Sequence, residues 1–343
     1  MSTPTHALIL PFERSLLPMP GRAFLMRAEP SEVLADWRDR LVCEQGFKPA
    51  YDRLVQAGFR AVARLDGRFD AGLVLLTKHK GENRANLARA WSLVEPGGVV
   101  VCCGANALGA ASFEREVERA FGLEDRLSKH QARTFWLRRA AGDAPAAVAE
   151  WLAAGAAQPV EDSGFLARPG CFSSEHVDPG SRILAECFPE GIAGRVADLG
   201  AGWGYLSIGL LQRFPEVTAV DAYEAEATAL DDARVNALRL VPGRADALSG
   251  HWLDVCAGLP EVAPYDWIVT NPPFHEGAKA DPAIGRAFIT AAWKAIRRRG
   301  KFLLVANQHL PYEAELRRRF RSVELVHAGG GFKVYLCSNR FDR

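Results

Sequence analysis

Apolar runs of strand length alternate with stretches of helical pattern along the chain, and the alternation occurs twice. In the first half "FDAGLVLL" precedes a helical stretch, followed by "EPGGVVVCCGAN", "FEREVERAF" and "TFWLRR". In the second half "YDWIVT" precedes a helical stretch, followed by "RRGKFLLVANQ", "YEAELRRRF" and "FKVYLC". The shared order is strand, helix, strand ending in Ala-Asn, helix closing on Arg and Phe, final strand. It predicts one α/β unit duplicated within the chain. Between the halves, "RRAAGDAPAAVAEWLAAGAAQP" is rich in Ala with Gly and Pro and reads as a linker with a helical turn or more. The expected division is residues 1–140, a linker at 141–160, and residues 161–343.

The halves differ where chemistry would sit. Only the second carries a glycine-rich turn after its first strand, in "RVADLGAGWGYLSIGLLQRF". Only the second carries "NPPF" after "YDWIVT", where the first offers "LLTKHKGEN". The first half therefore reads as a copy that kept the architecture and lost the chemistry.

The glycine turn narrows the ligand. Gly200, Gly202 and Gly204 are spaced G-x-G-x-G, and Tyr205 stands where a dinucleotide loop would continue towards its third glycine. The Gly-Lys-Ser/Thr of a phosphate loop is absent as well. Asp198, at the end of the strand, suits a ligand with an ammonium group, and glycines let backbone approach closely. S-adenosylmethionine, with an ammonium, a sulfonium and no phosphate, fits that description. The next strand, "EVTAVDAYE", ends in acids that can accept both ribose hydroxyls. Asp221 and Glu224 compete for the role, and Glu224 is preferred because it lies at the strand's C-terminal edge. A helix-capping acid would look the same. Asp254, in "GHWLDVCAGLP", is placed to accept from an adenine amine or to be a solvated loop acid.

Two prolines after a buried strand stop its hydrogen-bond ladder. In "TNPPFHEG" they are flanked by an amide and an aromatic. The lone pair of an aromatic amine is delocalised into its ring. Two fixed acceptors, the Asn271 side-chain oxygen and the Pro272 carbonyl, can hold the amine hydrogens and direct the lone pair. Phe274 can stack on the base. This is positioning rather than strong base catalysis, so His275 reads first as a loop residue and second as a base. Pro273 and His275 are counted with the substrate-facing set, and His176 has no assigned role.

The chain has 343 residues, with 42 basic and 41 acidic side chains, so overall charge gives no signal for nucleic acid. Any RNA surface must be local. "IRRRGK" and "ELRRRFR" read as helix ends whose cations meet the dipole. Lys78 and Lys80, with His79 and Arg84, follow a strand where ligands gather and are better candidates for phosphate contact. The seven cysteines form no CxxC pair or zinc pattern, which favours a reducing compartment and no metal. The start "MSTPTHALILPFERS" lacks the features of a signal peptide, and no stretch approaches about 20 apolar residues. The expectation is a soluble, cytoplasmic monomer.

Asp-Leu-Gly-x-Gly-x-Gly followed by Asn-Pro-Pro-Phe resembles class I S-adenosylmethionine-dependent methyltransferases acting on planar amines or amides. "NPPFH", "RPGCFSSEHVDPGSRILAE" and "VANQHLPYEAELRRRF...FKVYLC" together resemble the guanine-N2 ribosomal RNA methyltransferases of the small-subunit methyltransferase C family. The resemblance is close from Phe165 onward and looser before it. It implies two tandem Rossmann-like methyltransferase domains, the N-terminal one degenerate. It implies cofactor contacts at Asp198, the three glycines, Glu224 and Asp254, and base contacts at Asn271, Pro272 and Phe274. The implied partner is 16S ribosomal RNA or the small subunit. Ala201 and the bulky Trp203 depart from the family pattern, and the Trp203 indole faces either the cofactor or the segment around Phe172. A large-subunit guanine, an adenine N6, a protein glutamine, or a non-catalytic RNA-binding role are the rival readings.

Overall fold

The computed structural model describes residues 4–341 except 262, 263, 274, 277, 278 and 281, and describes only the backbone of 275, 276, 279 and 280. It divides into two compact units, residues 1–157 and 158–343.

The first unit contains β1 (Ala23–Met26), β2 (Leu41–Glu44), β3 (Arg60–Val62), β4 (Phe69–Leu75), β5 (Val94–Ala105), β6 (Asp125–Lys129) and β7 (Ala132–Arg138). Its helices are α1 (Pro4–Glu13), α2 (Lys48–Gln56), α3 (Lys80–Leu93), α4 (Ala110–Phe121) and α5 (Ala146–Ala154). The strands form one sheet in the order β3-β2-β1-β4-β5-β7-β6, parallel up to β5 and antiparallel beyond it. Strand periodicity sends alternate side chains to opposite faces. Leu73, Val101 and Cys103 pack with Leu8, Ile9 and Phe12 of α1. Val74, Val100 and Cys102 pack with Leu87 of α3, Phe113 of α4 and Trp151 of α5. Cys102 and Cys103 are thus buried back to back, and burial pushes the Cys103 thiol up to about 11. They are packing residues.

The segment expected as a linker with a helical turn or more contains a helix packed on the first unit. Ala146–Ala154 is a full helix whose Trp151 lies 6.0 Å from Phe113 and 5.0 Å from Phe121, ring centre to ring centre. Burial of that indole contributes about 2–3 kcal/mol, which ties the segment to the first unit.

The second unit adds β8 (Gln158–Pro159), β9 (Leu166–Ala167), β10 (Gly194–Leu199), β11 (Val217–Glu224), β12 (Leu248–Trp252), β13 (Tyr265–Thr270), β14 (His275–Glu276), β15 (Lys279–Ala280), β16 (Ile296–Asn307), β17 (Phe320–Gly329) and β18 (Phe332–Arg340). Its helices are α6 (Pro179–Glu186), α7 (Tyr205–Arg213), α8 (Ala227–Leu240), α9 (Pro282–Ala295) and α10 (Glu313–Arg317). The main sheet runs β12-β11-β10-β13-β16-β18-β17, the same order as in the first unit and with the same change of direction at the end. Val196, Val269 and Leu303 face Leu184, Leu206 and Ala229 of α6, α7 and α8. Ala197, Ile268 and Phe302 face Phe288 of α9 and Leu316 of α10. Each sheet is wound on both faces. In such sheets ligands bind beyond the carboxyl ends of the strands where the order reverses, here between β10 and β13.

Candidate functional site

Strand β10 ends at Leu199 and its neighbour β13 at Thr270, directly opposite in register. Thr270 is fully buried, and its Oγ1 donates to the Leu199 carbonyl at 2.6 Å. That bond clamps the two strand ends together. The glycine turn leaves one, the Asn-Pro-Pro segment the other. A Cβ built on Gly200 would lie 3.8 Å from the Asn271 carbonyl and 3.3 Å from Phe288.

All three glycines take positive φ, +76° at Gly200, +55° at Gly202 and +91° at Gly204. Their surroundings differ. Gly204 is crowded, with Ala233 3.1 Å from the point where a Cβ would stand, whereas at Gly202 no atom comes within 4 Å of that point. The turn is tied to β11 by Gly200 and Ala201 N–H groups donating to the Tyr223 carbonyl at 2.8 and 3.1 Å. Glu224 fastens it from the side: one carboxylate oxygen accepts from Gly202 N–H at 2.8 Å, the other from Glu226 N–H at 2.8 Å. Burial raises the Glu224 carboxyl above its ordinary range. A carboxylate has about four acceptor sites, so Glu224 can accept further hydrogen bonds beside these two.

The rival, Asp221, is occupied elsewhere. Its oxygens meet Arg195 at 2.7 Å, His251 at 2.8 Å and the Tyr265 hydroxyl at 3.0 Å. Those bonds hold Asp221 within the sheet, whereas Glu224 lies against the glycine turn. Asp254 follows β12, where Leu253 N–H donates to the Glu224 carbonyl at 2.9 Å. Its own carboxylate caps a short 3₁₀ turn through Cys256 N–H at 2.8 Å.

Asp198 is fully buried. Its Oδ2 accepts from Ser207 Oγ at 2.7 Å, and its Oδ1 has no hydrogen-bond partner among the described residues. Burial pushes the carboxyl up to about 7, with the nearby Glu224 charge adding and the Ser207 bond opposing. An orphaned carboxylate oxygen under a glycine turn fits a cationic ligand, which supplies the charge that the protein lacks there.

Asn271 donates from Nδ2 to Asp178 Oδ2 at 2.7 Å and to Ser181 Oγ at 2.8 Å. Its Oδ1 accepts from no described residue. Pro272 is buried and Pro273 exposed. Phe274 lies outside the described residues. His275 opens β14, and its side chain also lies outside them. Trp203 is buried against Phe165, and its indole N–H donates to the Phe172 carbonyl at 2.9 Å. It therefore packs against Phe165 and the Phe172 segment. Phe172 itself is 64% exposed, and His176 is exposed.

The corresponding crevice of the first unit, between β1 and β4, is filled by its own side chains. Arg27, at φ +57°, donates to Glu82 at 2.5 Å, and Thr77 Oγ1 donates to the same carboxylate at 2.9 Å. Glu44, the acid closing β2, is held by Arg89 at 2.9 and 2.5 Å and by Leu65 N–H at 2.7 Å. No glycine turn or free acid remains there among the described residues, which is the physical content of a degenerate site.

Lys78 and Lys80 lie exposed beyond β4, at the topological counterpart of the Asn-Pro-Pro segment. Lys80 is engaged by Glu116 at 2.7 Å, as is Arg84 at 2.5 Å. Arg297–Arg299 open β16, correcting their expected place at a helix end, and so lie at the sheet edge opposite the glycine turn. Sequence reasoning missed Asp178, Ser181 and Ser207. Asp-Pro-Gly-Ser at 178–181 carries a helix-start signal, yet nothing local announces its contact with Asn271. Among the described residues there is no cluster of three or more His, Cys, Asp or Glu arranged for a metal, and no helix long and apolar enough to cross a membrane.

Comparison with known proteins agrees with this geometry. Residues 162–336 match the methyltransferase small domain family. The ribosomal RNA small subunit methyltransferase C of Photorhabdus laumondii is 32% identical over 175 residues, 50% of this chain and 49% of that relative. The protein of the same name from Pseudoalteromonas atlantica is 28% identical over 294 residues, 84% of this chain and 82% of that one. A solved 16S rRNA N2 methyltransferase of T. thermophilus, in complex with AdoMet and guanosine, shares the fold at a TM-score of 0.76. It is 24% identical, and the match covers 98% of this chain and 92% of that one. The stretch that matches the family runs from the segment folded over the glycine turn to the antiparallel strands closing the second sheet, so the chain belongs to the methyltransferase small domain family.

Proposed function

We propose that this protein transfers a methyl group from S-adenosylmethionine to the exocyclic N2 amine of a guanine in 16S ribosomal RNA. The observation that carries the reading is the Thr270–Leu199 clamp, which sets the glycine turn and Asn271 side by side at the sheet's switch point. The names of the relatives support the substrate class. S-adenosylmethionine supplies an electrophilic methyl group. Asp198, the turn glycines, Glu224 and Asp254 are the residues that would hold it. Asn271 Oδ1 and the Pro272 carbonyl would each accept one hydrogen of the guanine amine, aiming its lone pair along the transfer axis. Transfer of that methyl to the amine nitrogen would release the surplus amine proton to solvent, so no strong base would be required.

Lys78 offers a cation to RNA phosphates from the first unit; Lys80 would have to leave Glu116 to join it. The protein would act in the cytoplasm as a monomer on the small subunit or its RNA. Mapping guanine methylation in ribosomal RNA from cells lacking the gene tests the substrate. The expected result is one N2-methylguanine missing from 16S RNA and restored by the wild-type gene. Restoration should fail with Asn271→Ala, because losing one fixed acceptor costs about 100-fold or more in rate. An unchanged methylation pattern in that RNA would remove the proposal.

A further inference from the structure

We propose that Asp178 and Ser181 are positioning residues that set the polarity of the Asn271 amide. An asparagine side chain has two nearly isosteric orientations, one offering oxygen and the other N–H₂ to a given neighbour. Only the first can accept from a substrate amine; the second sets donor against donor. Something must choose, and the Asn-Pro-Pro segment by itself does not.

The geometry points to Asp178. An ionised carboxylate only accepts hydrogen bonds, and its Oδ2 lies 2.7 Å from Asn271 Nδ2. Turning the amide over would bring two acceptors together. Ser181 Oγ, at 2.8 Å, receives the second Nδ2 hydrogen. Both amide donors are thereby committed, and Oδ1 is left for the substrate. The selecting residue arrives from 93 positions away, at the N-cap of α6.

The local sequence is built for this double duty. Asp178 is the N-cap of α6 and accepts from Ser181 N–H at 2.8 Å through the same oxygen. Pro179 occupies the first helical position, where its missing N–H costs nothing. Gly180 makes room, since a Cβ there would stand 3.0 Å from Asp178 Oδ2 and 2.9 Å from Phe332. The capping bond holds the carboxylate in place, and the charge-assisted bond to Asn271 exploits that fixed position.

This inference rests on the base-facing role proposed for Asn271, so the experiment reads amide placement and activity separately. Asp178→Ser keeps a good N-cap but is too short to reach Asn271. Asp178→Asn preserves an oxygen at the contact. With asparagine side chains labelled with nitrogen-15, the wild-type Asn271 amide should give two inequivalent protons protected from exchange. Asp178→Ser should lose that protection and Asp178→Asn retain most of it, with thermal midpoints close to wild type for both. In methyl transfer, Asp178→Ser should lower kcat by about 10- to 100-fold while leaving S-adenosylmethionine affinity unchanged. In an Asn271→Ala background it should cost little more, because the two residues act as a unit.

Unchanged amide protection in Asp178→Ser would overturn the inference whatever the activity. So would additive losses in the double variant, or a loss that falls equally on cofactor affinity. If the wild type methylates no ribosomal RNA, the functional reading fails while the amide measurement still decides the placement.

Discussion

On the proposed contact between Asp198 and the cofactor's ammonium, the unpartnered oxygen of Asp198 would make cofactor binding a titration. In the folded protein this carboxyl is raised from its ordinary 3.8 to about 7, chiefly by burial. The raised value means that the fold binds more protons than the unfolded chain between about pH 4 and about pH 7. Its contribution to stability is therefore fully present below about pH 4 and is lost as pH rises through about 7. A ligand ammonium reverses the preference, because it favours the carboxylate. Below about pH 7 the protein must release a proton to bind, so affinity should fall by about tenfold per pH unit and level off above about pH 8.

Calorimetry of S-adenosylmethionine binding across about pH 6 to about pH 8, in buffers of different ionisation enthalpy, measures both the affinity and the proton released. Near pH 7 about half a proton should leave. Asp198→Asn keeps an acceptor for Ser207 Oγ and removes the titration. Its affinity should be flat over the same range and, on the alkaline side, weaker than wild type by about 10- to 100-fold, the loss of one charge-assisted contact. Glu224, also raised by burial, remains in that variant and serves as the internal control. A wild-type affinity independent of pH, or a variant that keeps the wild-type slope, would refute the assignment of Asp198.

Gly202 and Gly204 should separate under substitution by alanine. At Gly202 the methyl meets no protein atom within 4 Å, so stability should fall only by the left-handed backbone penalty of about 1 kcal/mol, while calorimetry records a loss of cofactor affinity. At Gly204 the crowding by Ala233 and Ile208 should add about 1–3 kcal/mol of destabilisation; similar stability for the two variants would contradict the geometry. In the first unit, Arg89→Ala leaves the buried Glu44 carboxylate without its cation. Urea unfolding should record a loss of about 2–4 kcal/mol, and a change within error would mean that this crevice is not held shut by ion pairing.

The central strands were legible because they are continuous apolar runs such as "FLLVA" and "VVVCC", buried on both faces. The repeat of one element order was legible for the same reason. The first helix was not. Ala7, Leu8, Ile9 and Leu10 are consecutive buried residues, so the apolar stripe that marks an amphipathic helix is missing. The Ala, Gly and Pro composition around Ala146–Ala154 allowed a helical turn or more but said nothing about the aromatic partners of Trp151. Arg297–Arg299 were placed on a helix from a dipole argument, whereas the chain turns straight from α9 into β16. At the site, the strand–turn–helix of Asp198 to Arg213 and the break at Pro272 are local events and could be read directly. The engagement of Asp221 depends on Arg195, His251 and Tyr265, three residues from three other strands. The Asp178–Asn271 contact depended on the packing of α6 beside β16 and β18. Such contacts leave no spacing in the sequence to find.

The way Glu224 grips the glycine turn has a consequence for mutagenesis. The same carboxylate proposed to accept a sugar's hydroxyls also accepts from the Gly202 and Glu226 N–H groups. Replacing it would therefore unmoor the cradle at the moment it removes a contact, and a fall in affinity would mix the two. The simplest-looking substitution in the pocket is the hardest to interpret. Changes at Gly202, where the space is empty of protein, give the cleaner measure of what the turn holds.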